Sequence, residues 1–478
     1  MQRDGLVLAA DLGGSALKLG LVDGSGCLVA SAVRPLAERL PATDRVEQDP
    51  LVWWDALSEL TIGLVAGRAD RVCGLVVTGA TRCEVLVDAA GRPLLGAILF
   101  RDRRARAEAE ELTADPALEA VQPIDASHPL ARLLWLARRA GPALGRARHL
   151  LEPKDFLAFR LTGVAARDPL SAARLEAPGV AEAVRRHRLP LALLPEARPL
   201  GARLGGLLPG PAAKLGLAPG VPVVAAPMDA WCATLAIGAV AHGRAYASAG
   251  SSEVAGLIVD RPVAAAGLLA PLWGEGLWHL GGPSLAGGAG LDWLARLLGR
   301  PLEALLAELG ETLPAETAPL ALPWPAGERV PFAAPDLRAR LLGLEEGHGP
   351  ADLVRAWLEA LAFWDRLVLD RAEAAAGLRA AELRLTGGLA AAPVVARLKA
   401  AALARPVLAF AAREGALLGA AGLAWTGLGR FADLAAAQEV LAEAPHRVEA
   451  SVEASAAAAR RFARWQAELA RVLGGEAR

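Results

Sequence analysis

At 478 residues the chain is longer than one hydrophobic core normally serves, so two domains of about 200 residues or more are expected. Its 51 basic and 52 acidic residues nearly cancel with no basic run, which argues against nucleic acid and anionic membrane as partners. The longest uncharged apolar stretch, near Ala230–Ala241, falls well below the roughly 18 residues of a membrane span; the start lacks signal-peptide character, and four cysteines without CxxC or metal spacing point to a reduced, cytoplasmic protein.

In chain order, residues 5–35 read as a β-hairpin, and Gln48-Asp-Pro50 opens an amphipathic helix. A buried strand is expected at Leu75–Gly79, then a strand and turn over 85–93, and helices at about 102–113, 129–141 and 154–161. The Pro-, Gly- and Leu-rich stretch 189–222 reads as surface loop before a strand at 222–226. A domain boundary is placed near 238, giving domains 1–237 and 238–478. The second half carries a hairpin at 243–258, helices at 287–299, 301–310 and 350–376, a strand at 382–386, helices across 390–404 and 415–427, and a helical tail. Strands alternating with helices make the class α/β. The charge-rich runs 101–112 and 458–471 read as solvated helix faces.

Two turns carry the chemistry. In Asp11-Leu-Gly-Gly-Ser15, Gly13 and Gly14 expose backbone amides suited to phosphoryl oxygens. Asp11 can hold Mg²⁺ through water, and Lys18 can add positive charge. The same stretch is also ordinary hairpin chemistry. Half a chain later Gly250-Ser251-Ser252 again follows a strand, which suggests a duplicated domain holding one nucleotide between its halves. Only four lysines occur, at 18, 154, 214 and 399, against abundant arginine, so each lysine is mildly informative. The seven histidines show no zinc-ligand spacing.

These segments appear in a familiar order. Asp11–Ser15, Glu47–Pro50 with Trp53-Trp54, Thr78-Gly79, Phe100–Arg104, Pro153-Lys-Asp155, Met228-Asp229-Ala230, Gly250–Ser252, Gly327–Pro331, Thr386-Gly-Gly388 and Leu418–Ala421 together make the chain resemble the FGGY carbohydrate kinases from the first hairpin to about residue 430. The resemblance implies two actin-like, ribonuclease-H-like domains with a nucleotide and sugar cleft between them, and ATP and Mg²⁺ as cofactors. It further implies Asp229 as catalytic base and metal neighbour, with Asp11 near the metal. Gly13, Gly14, Ser15, Lys18, Gly250, Ser251 and Ser252 would attend the phosphates, and Gly287, Gly387 and Gly388 the rest of the nucleotide. For Asp229 the alternative is a helix cap; for Gly387-Gly388 it is a plain strand-to-helix turn.

The sugar side departs from the family pattern. Thr81-Arg82-Cys83-Glu84 stands where xylulokinases have Met-His-Gly and glycerol kinases nearby have an Arg-Glu pair, so Arg82 occupies the place of a sugar-contacting His. It can hydrogen-bond a polyhydroxylated or acidic acceptor, or pair with Glu84 on the same side of an extended segment. Thr81, Arg82, Asp102 and Asp229 are the expected sugar contacts. After Thr386-Gly-Gly388, Leu389, Arg397 and Ala401 replace the usual Gly, Gln and Asp. The expectation is ATP-dependent phosphorylation of a small sugar, a ketopentose such as D-xylulose. Rivals are a kinase of another ketose, polyol or sugar acid, an actin-like ATP switch, and a catalytically idle sensor. Sugar and ATP are the expected partners, and a homodimer is the assembly to test.

Overall fold

The computed structural model describes residues 4–121, 123–410, 414–441 and 444–475. The chain forms two compact units, Met1–Ala236 with Glu414–Leu441 and Ile237–Arg413 with Ala442–Arg478. Both are α/β, and each is built on one mixed sheet.

In the first unit the sheet takes β1 (Leu6–Leu12), β2 (Ala16–Asp23), β3 (Leu28–Pro35), β4 (Val72–Gly79), β5 (Arg203–Gly206) and β6 (Pro222–Val224), in the order β5-β6-β4-β1-β2-β3. β1 and β6 run parallel to β4, and the other neighbours are antiparallel. β1 and β4 read as continuous apolar runs because both their faces are covered, whereas edge strand β3 alternates half-buried and exposed residues. Helix α1 (Pro50–Val65) starts where Asp49 accepts the Leu51 N–H and Pro50 supplies the first turn, and it buries Trp53 and Trp54. Helices α2 (Pro129–Arg139), α3 (Pro153–Thr162) and α4 (Asp229–Ala236) follow. The expected loop 189–222 in fact holds β5 and a short helix, Pro209–Leu215. Arg-Leu-Gly-Gly and Pro-Gly-Pro carry too little hydrophobic period to announce either.

The second unit has β7 (Ala245–Ala249), β8 (Glu253–Val259), β9 (Leu272–Gly274), β10 (Leu277–Pro283), β11 (Leu383–Thr386), β12 (Val407–Ala409) and β13 (His446–Val448), ordered β9-β10-β8-β7-β11-β12-β13. Six of these strands repeat the first sheet, in order and in the sense of every pairing, with β9 added at one edge. The duplication expected from two similar turns is therefore a duplication of strand placement and pairing sense, with the chain order differing at one edge, where β5 precedes β6 but β13 follows β12. Helices α5 (Gly288–Leu297), α6 (Pro350–Ala376) and α7 (Pro393–Leu403) cover the sheet, and α6 buries Trp357, Phe363 and Trp364.

Helix α8 (Gly415–Gly427) returns to the first unit and packs on α4, β1 and β4. Its sequence is apolar all round and names no partner, so one division near residue 238 assigns it to the second half. Its approach to α4 is backbone on backbone: a Cβ at Gly419 would stand 1.8 Å from Cys232 O. The terminal helix α9 (Val452–Gly475) joins the second unit. Its charged run is not wholly a solvated face, because Arg461 is buried, pairs with Glu359 and donates to the carbonyls of Ala315, Glu316, Ala318 and Pro319. The run at 101–112 departs likewise, with Asp102, Arg104 and Glu108 buried. Among the described residues no helix is long and apolar enough to cross a membrane.

Gly419→Val forces α8 off α4 and is expected to cost about 3 kcal/mol of stability in urea denaturation.

Candidate active site

Three parallel strand ends meet in the first unit. Asp11 on β1 pairs in register with Thr78 on β4, and Gly79 forms a bridge with Met228 beyond β6. Thr78 Oγ1 donates to Pro227 O at 2.7 Å, which fixes the turn into α4 and makes Asp229 the first residue of that helix. The carboxyl ends of parallel strands are where α/β sheets receive ligands. Asp11 and Asp229 are both half-buried there, close enough for their charges to interact.

Burial raises the Asp11 carboxyl to about 7; Asp229 adds to the rise, Lys18 opposes it and Glu414 adds a little more. Its Oδ1 is shielded from solvent and has no hydrogen-bond partner. Burial also raises Asp229, against the Ala230 N–H that donates to its Oδ1 at 2.6 Å and with Glu152 contributing. That bond comes from the adjacent residue, and the Trp231 and Cys232 N–H groups go to Met228 O, so Asp229 does not cap the helix in the usual way; the bond fixes the carboxyl's orientation. An orphaned carboxylate oxygen within reach of a second carboxylate's charge fits a divalent cation. Among the described residues no three His, Cys, Asp or Glu side chains are grouped to hold a metal, so Mg²⁺ here would draw most of its ligands from phosphate and water, as Mg²⁺ commonly does.

The β1–β2 turn presents its amides by anchoring its carbonyls. Gly13 N–H closes the turn on Ala16 O at 3.0 Å and is consumed. Gly14 O accepts from Gln48 Nε2 at 2.9 Å, and Ser15 O accepts from Leu36 N–H at 2.8 Å. In a planar trans peptide the N–H points opposite the C=O, so the amides of Ser15 and Ala16 are turned away from these anchors. Gln48 is held in turn by Trp53 Nε1 at 2.7 Å. Lys18 Nζ is 3.0 Å from Glu414, so its charge is shared with that carboxylate.

The β7–β8 turn repeats the device in the second unit. Gly250 N–H closes on Ser252 O, while Gly250 O and Ser251 O accept from Gly288 N–H at 2.8 Å and Ala289 N–H at 3.0 Å. The amides of Ser251 and Ser252, both exposed, are thereby turned outward. The first amides of α5 are used in this bracing. Gly287, expected at the nucleotide, supports the turn from behind, since a Cβ there would lie 2.6 Å from Glu253 N. Gly387, at φ +100°, presses on Ala249, where a Cβ would lie 2.5 Å from the carbonyl oxygen; Gly388 is exposed and a Cβ there meets nothing within 4 Å. That open position fits a flat ring laid against the backbone.

On the acceptor side Glu152, unremarked in the sequence beside Pro153-Lys-Asp155, is the organiser. Its Oε1 accepts from Thr81 Oγ1 at 2.6 Å and from Arg82 N–H at 3.0 Å, and its Oε2 accepts from Ser171 Oγ at 2.9 Å. Buried Lys154 lies 3.3 Å from Glu152, 2.8 Å from Asp155 and 2.9 Å from Asp168. Arg82 adopts φ +55°, which breaks the strand alternation that would put Arg82 and Glu84 on one side. Glu84 pairs instead with buried Arg132, and Arg82 Nη1 lies 3.3 Å from both Asp125 Oδ2 and Ser127 Oγ. The alternative Arg82–Glu84 ion pair is not formed. Asp102 has a fully buried side chain committed to Val46 N–H and the Arg104 guanidinium, so it braces the loop rather than facing a ligand.

The FGGY family of carbohydrate kinases matches through its N-terminal domain at residues 6–236 and its C-terminal domain at residues 245–428. The chain belongs to this family. It is 29% identical over 374 residues to a xylulose kinase of Klebsiella pneumoniae, covering 75% of this chain and 77% of the relative. It is 30% identical over 459 residues to a glycerol kinase of Citrifermentans bemidjiense, covering 88% and 90%. A crystal structure of a xyloylose kinase from Brucella ovis superposes with a TM-score of 0.89 at 27% identity, covering 98% of this chain and 99% of that one. Kinases of the FGGY family use ATP as phosphate donor.

The raised Asp11 carboxyl has a consequence for pH. Because its folded pKa lies above the ordinary 3.8, the ligand-free fold gains stability from the proton below pH 4 and loses it as pH rises through about 7. Cation binding needs the carboxylate, so Mg²⁺ affinity in the presence of nucleotide is expected to rise between pH 6 and 8 and to level off above, as read by calorimetric titration. Asp11→Asn is expected to remove that rise while leaving the apoprotein at least as stable in thermal melts.

Proposed function

We propose that this FGGY kinase transfers the γ-phosphoryl group of ATP to a hydroxyl of a small sugar, D-xylulose or a closely similar ketopentose, with Asp229 accepting the hydroxyl proton. The observation that carries the reading is the raised, oriented carboxyl of Asp229 at the strand ends that also hold Asp11 with its unpartnered oxygen. A base with its pKa moved toward neutrality takes a proton more readily as the new bond forms. In the transfer, the acceptor oxygen bonds to the γ-phosphorus, its proton passes to Asp229, and the bond to the β-phosphate oxygen breaks to release ADP. The outward amides of Ser15, Ala16, Ser251 and Ser252 are suited to charge building on the phosphoryl oxygens. Asp11 would hold Mg²⁺, which when bound neutralises phosphate charge. Gly387 and Gly388 would admit adenosine.

Relatives named as xylulose kinases support the ketopentose, and relatives named as glycerol kinases keep polyols in view. A second acceptor class is favoured by one observation: Arg82, fixed at its amide by Glu152, brings a guanidinium to the acceptor loop, a group suited to the carboxylate of a sugar acid.

Coupled ADP release across xylulose, ribulose, glycerol, ribitol and gluconate tests the reading; one of the first two should give the highest kcat/KM, and gluconate ahead of both would transfer the assignment to sugar acids. Asp229→Asn is expected to lower sugar-dependent turnover by about 10²–10⁴-fold with ATP binding retained. Turnover near the unmodified level would reject Asp229 as base. Arg82→Met is expected to raise the acceptor KM by roughly tenfold or more, the scale of one charged hydrogen bond.

A further inference from the structure

Behind the second phosphate turn lies a buried charge cluster that the transfer chemistry does not use. Glu253 is the first residue of β8, directly after Ser252. Its Oε1 is 2.9 Å from Lys399 Nζ on α7, and the same ammonium is hydrogen-bonded to Asp365 Oδ2 on α6. All three side chains are 2% exposed or less. The remaining oxygens, Glu253 Oε2 and Asp365 Oδ1, are buried and have no partner.

Two carboxylates and one ammonium would leave a net negative charge inside the unit, which is strongly disfavoured. A single proton on Glu253, directed to Asp365, cancels that charge and can supply both orphaned oxygens with one hydrogen bond. Burial raises the Glu253 carboxyl to about 8, with Lys399 opposing and Asp365 adding to the rise, which agrees with a protonated Glu253 at neutral pH.

The cluster grips the turn at a point where displacement matters. Glu253 N–H donates to Ala286 O at 2.9 Å, and its carbonyl accepts from Ser284 N–H at 2.8 Å. Its side chain ties the same residue to α6 and to α7, the helix that follows the Gly387-Gly388 turn. Any shift of Glu253 passes through one peptide to the Ser252 amide.

We propose that Glu253, Asp365 and Lys399 form a charge-neutral, single-proton triad that sets the second phosphate turn in place, with Glu253 the positioning residue for the β- and γ-phosphates of the nucleotide. The proposal rests on the nucleotide reading given above, but not on the identity of the sugar. Gln at 253 reproduces the neutral form: its carbonyl accepts from Lys399 and its amide donates to Asp365. Ala provides neither.

The test is equilibrium binding of ATP and of AMP, measured by calorimetry without sugar. Glu253→Gln is expected to bind ATP within about twofold of the unmodified protein. Glu253→Ala is expected to lose about tenfold for ATP and less than twofold for AMP, which lacks the phosphates concerned. If Glu253→Ala does not fold, the triple variant Glu253→Ala, Asp365→Leu, Lys399→Met leaves no unpaired buried charge and carries the same readout. Unchanged ATP affinity in the alanine-containing variant, an equal loss for ATP and AMP, or a tenfold loss in Glu253→Gln overturns the proposal. An unmodified protein that binds ATP but releases no ADP with any sugar rejects the kinase reading and leaves this test in force. One that does not bind ATP rejects both.

Discussion

The constraint on which the first unit turns is that two half-buried carboxylates, Asp11 at the end of β1 and Asp229 just beyond β6, stand at strand ends on either side of β4, within reach of one another's charge. Burial, with the Asp229 charge adding to it, raises the Asp11 carboxyl to about 7, so the ligand-free fold favours a proton there below that pH. The sheet enforces the arrangement: β1 and β4 run in register to their last residues, and the chain beyond β6 is tied to β4 through Gly79 and Thr78.

A second regularity runs through both units. Each Gly/Ser turn is built by fastening carbonyls and leaving the following amides to point the other way, once with a side-chain amide and a neighbouring backbone N–H, and once with the first amides of a helix. The anchors differ while the result is the same. Within a duplicated topology, what is kept is the direction of the peptide planes, and the means of fixing them has diverged.

Much of this was legible in the sequence because the signals were local. Asp49-Pro50 marks a helix start through its own cap, and the two Gly/Ser runs after apolar stretches mark turns through residues that turns prefer. Asp229 stands out in the sequence only by its place in an ordered set of short segments. Partners distant along the chain were hidden: Glu152 under Thr81 and Arg82, Gln48 behind Gly14, Arg132 on Glu84. Of the two readings open for Arg82, the ion pair with Glu84 depends on strand alternation, which the left-handed Arg82 interrupts. The lysines were a better clue than their number suggested. Lys154 and Lys399 are buried among carboxylates, where a compact ammonium with three donors can serve several acceptors at once. Helix α8 gave no clue to its unit, because an all-apolar helix fits any core.

That last helix has a consequence for how the protein is made. Its packing partners, β1, β4 and the Asp229-bearing α4, leave the ribosome long before it does, with the whole of Ile237–Arg413 synthesised in between. At typical elongation rates the wait is on the order of ten seconds or more. Throughout it the surface that Gly419 will touch has no cover, so the first unit emerges as an incomplete core and closes only after most of the second has been translated. Synthesis order and spatial order disagree in this chain, and the nascent protein passes through a period of exposed apolar surface that a linear two-domain protein would avoid.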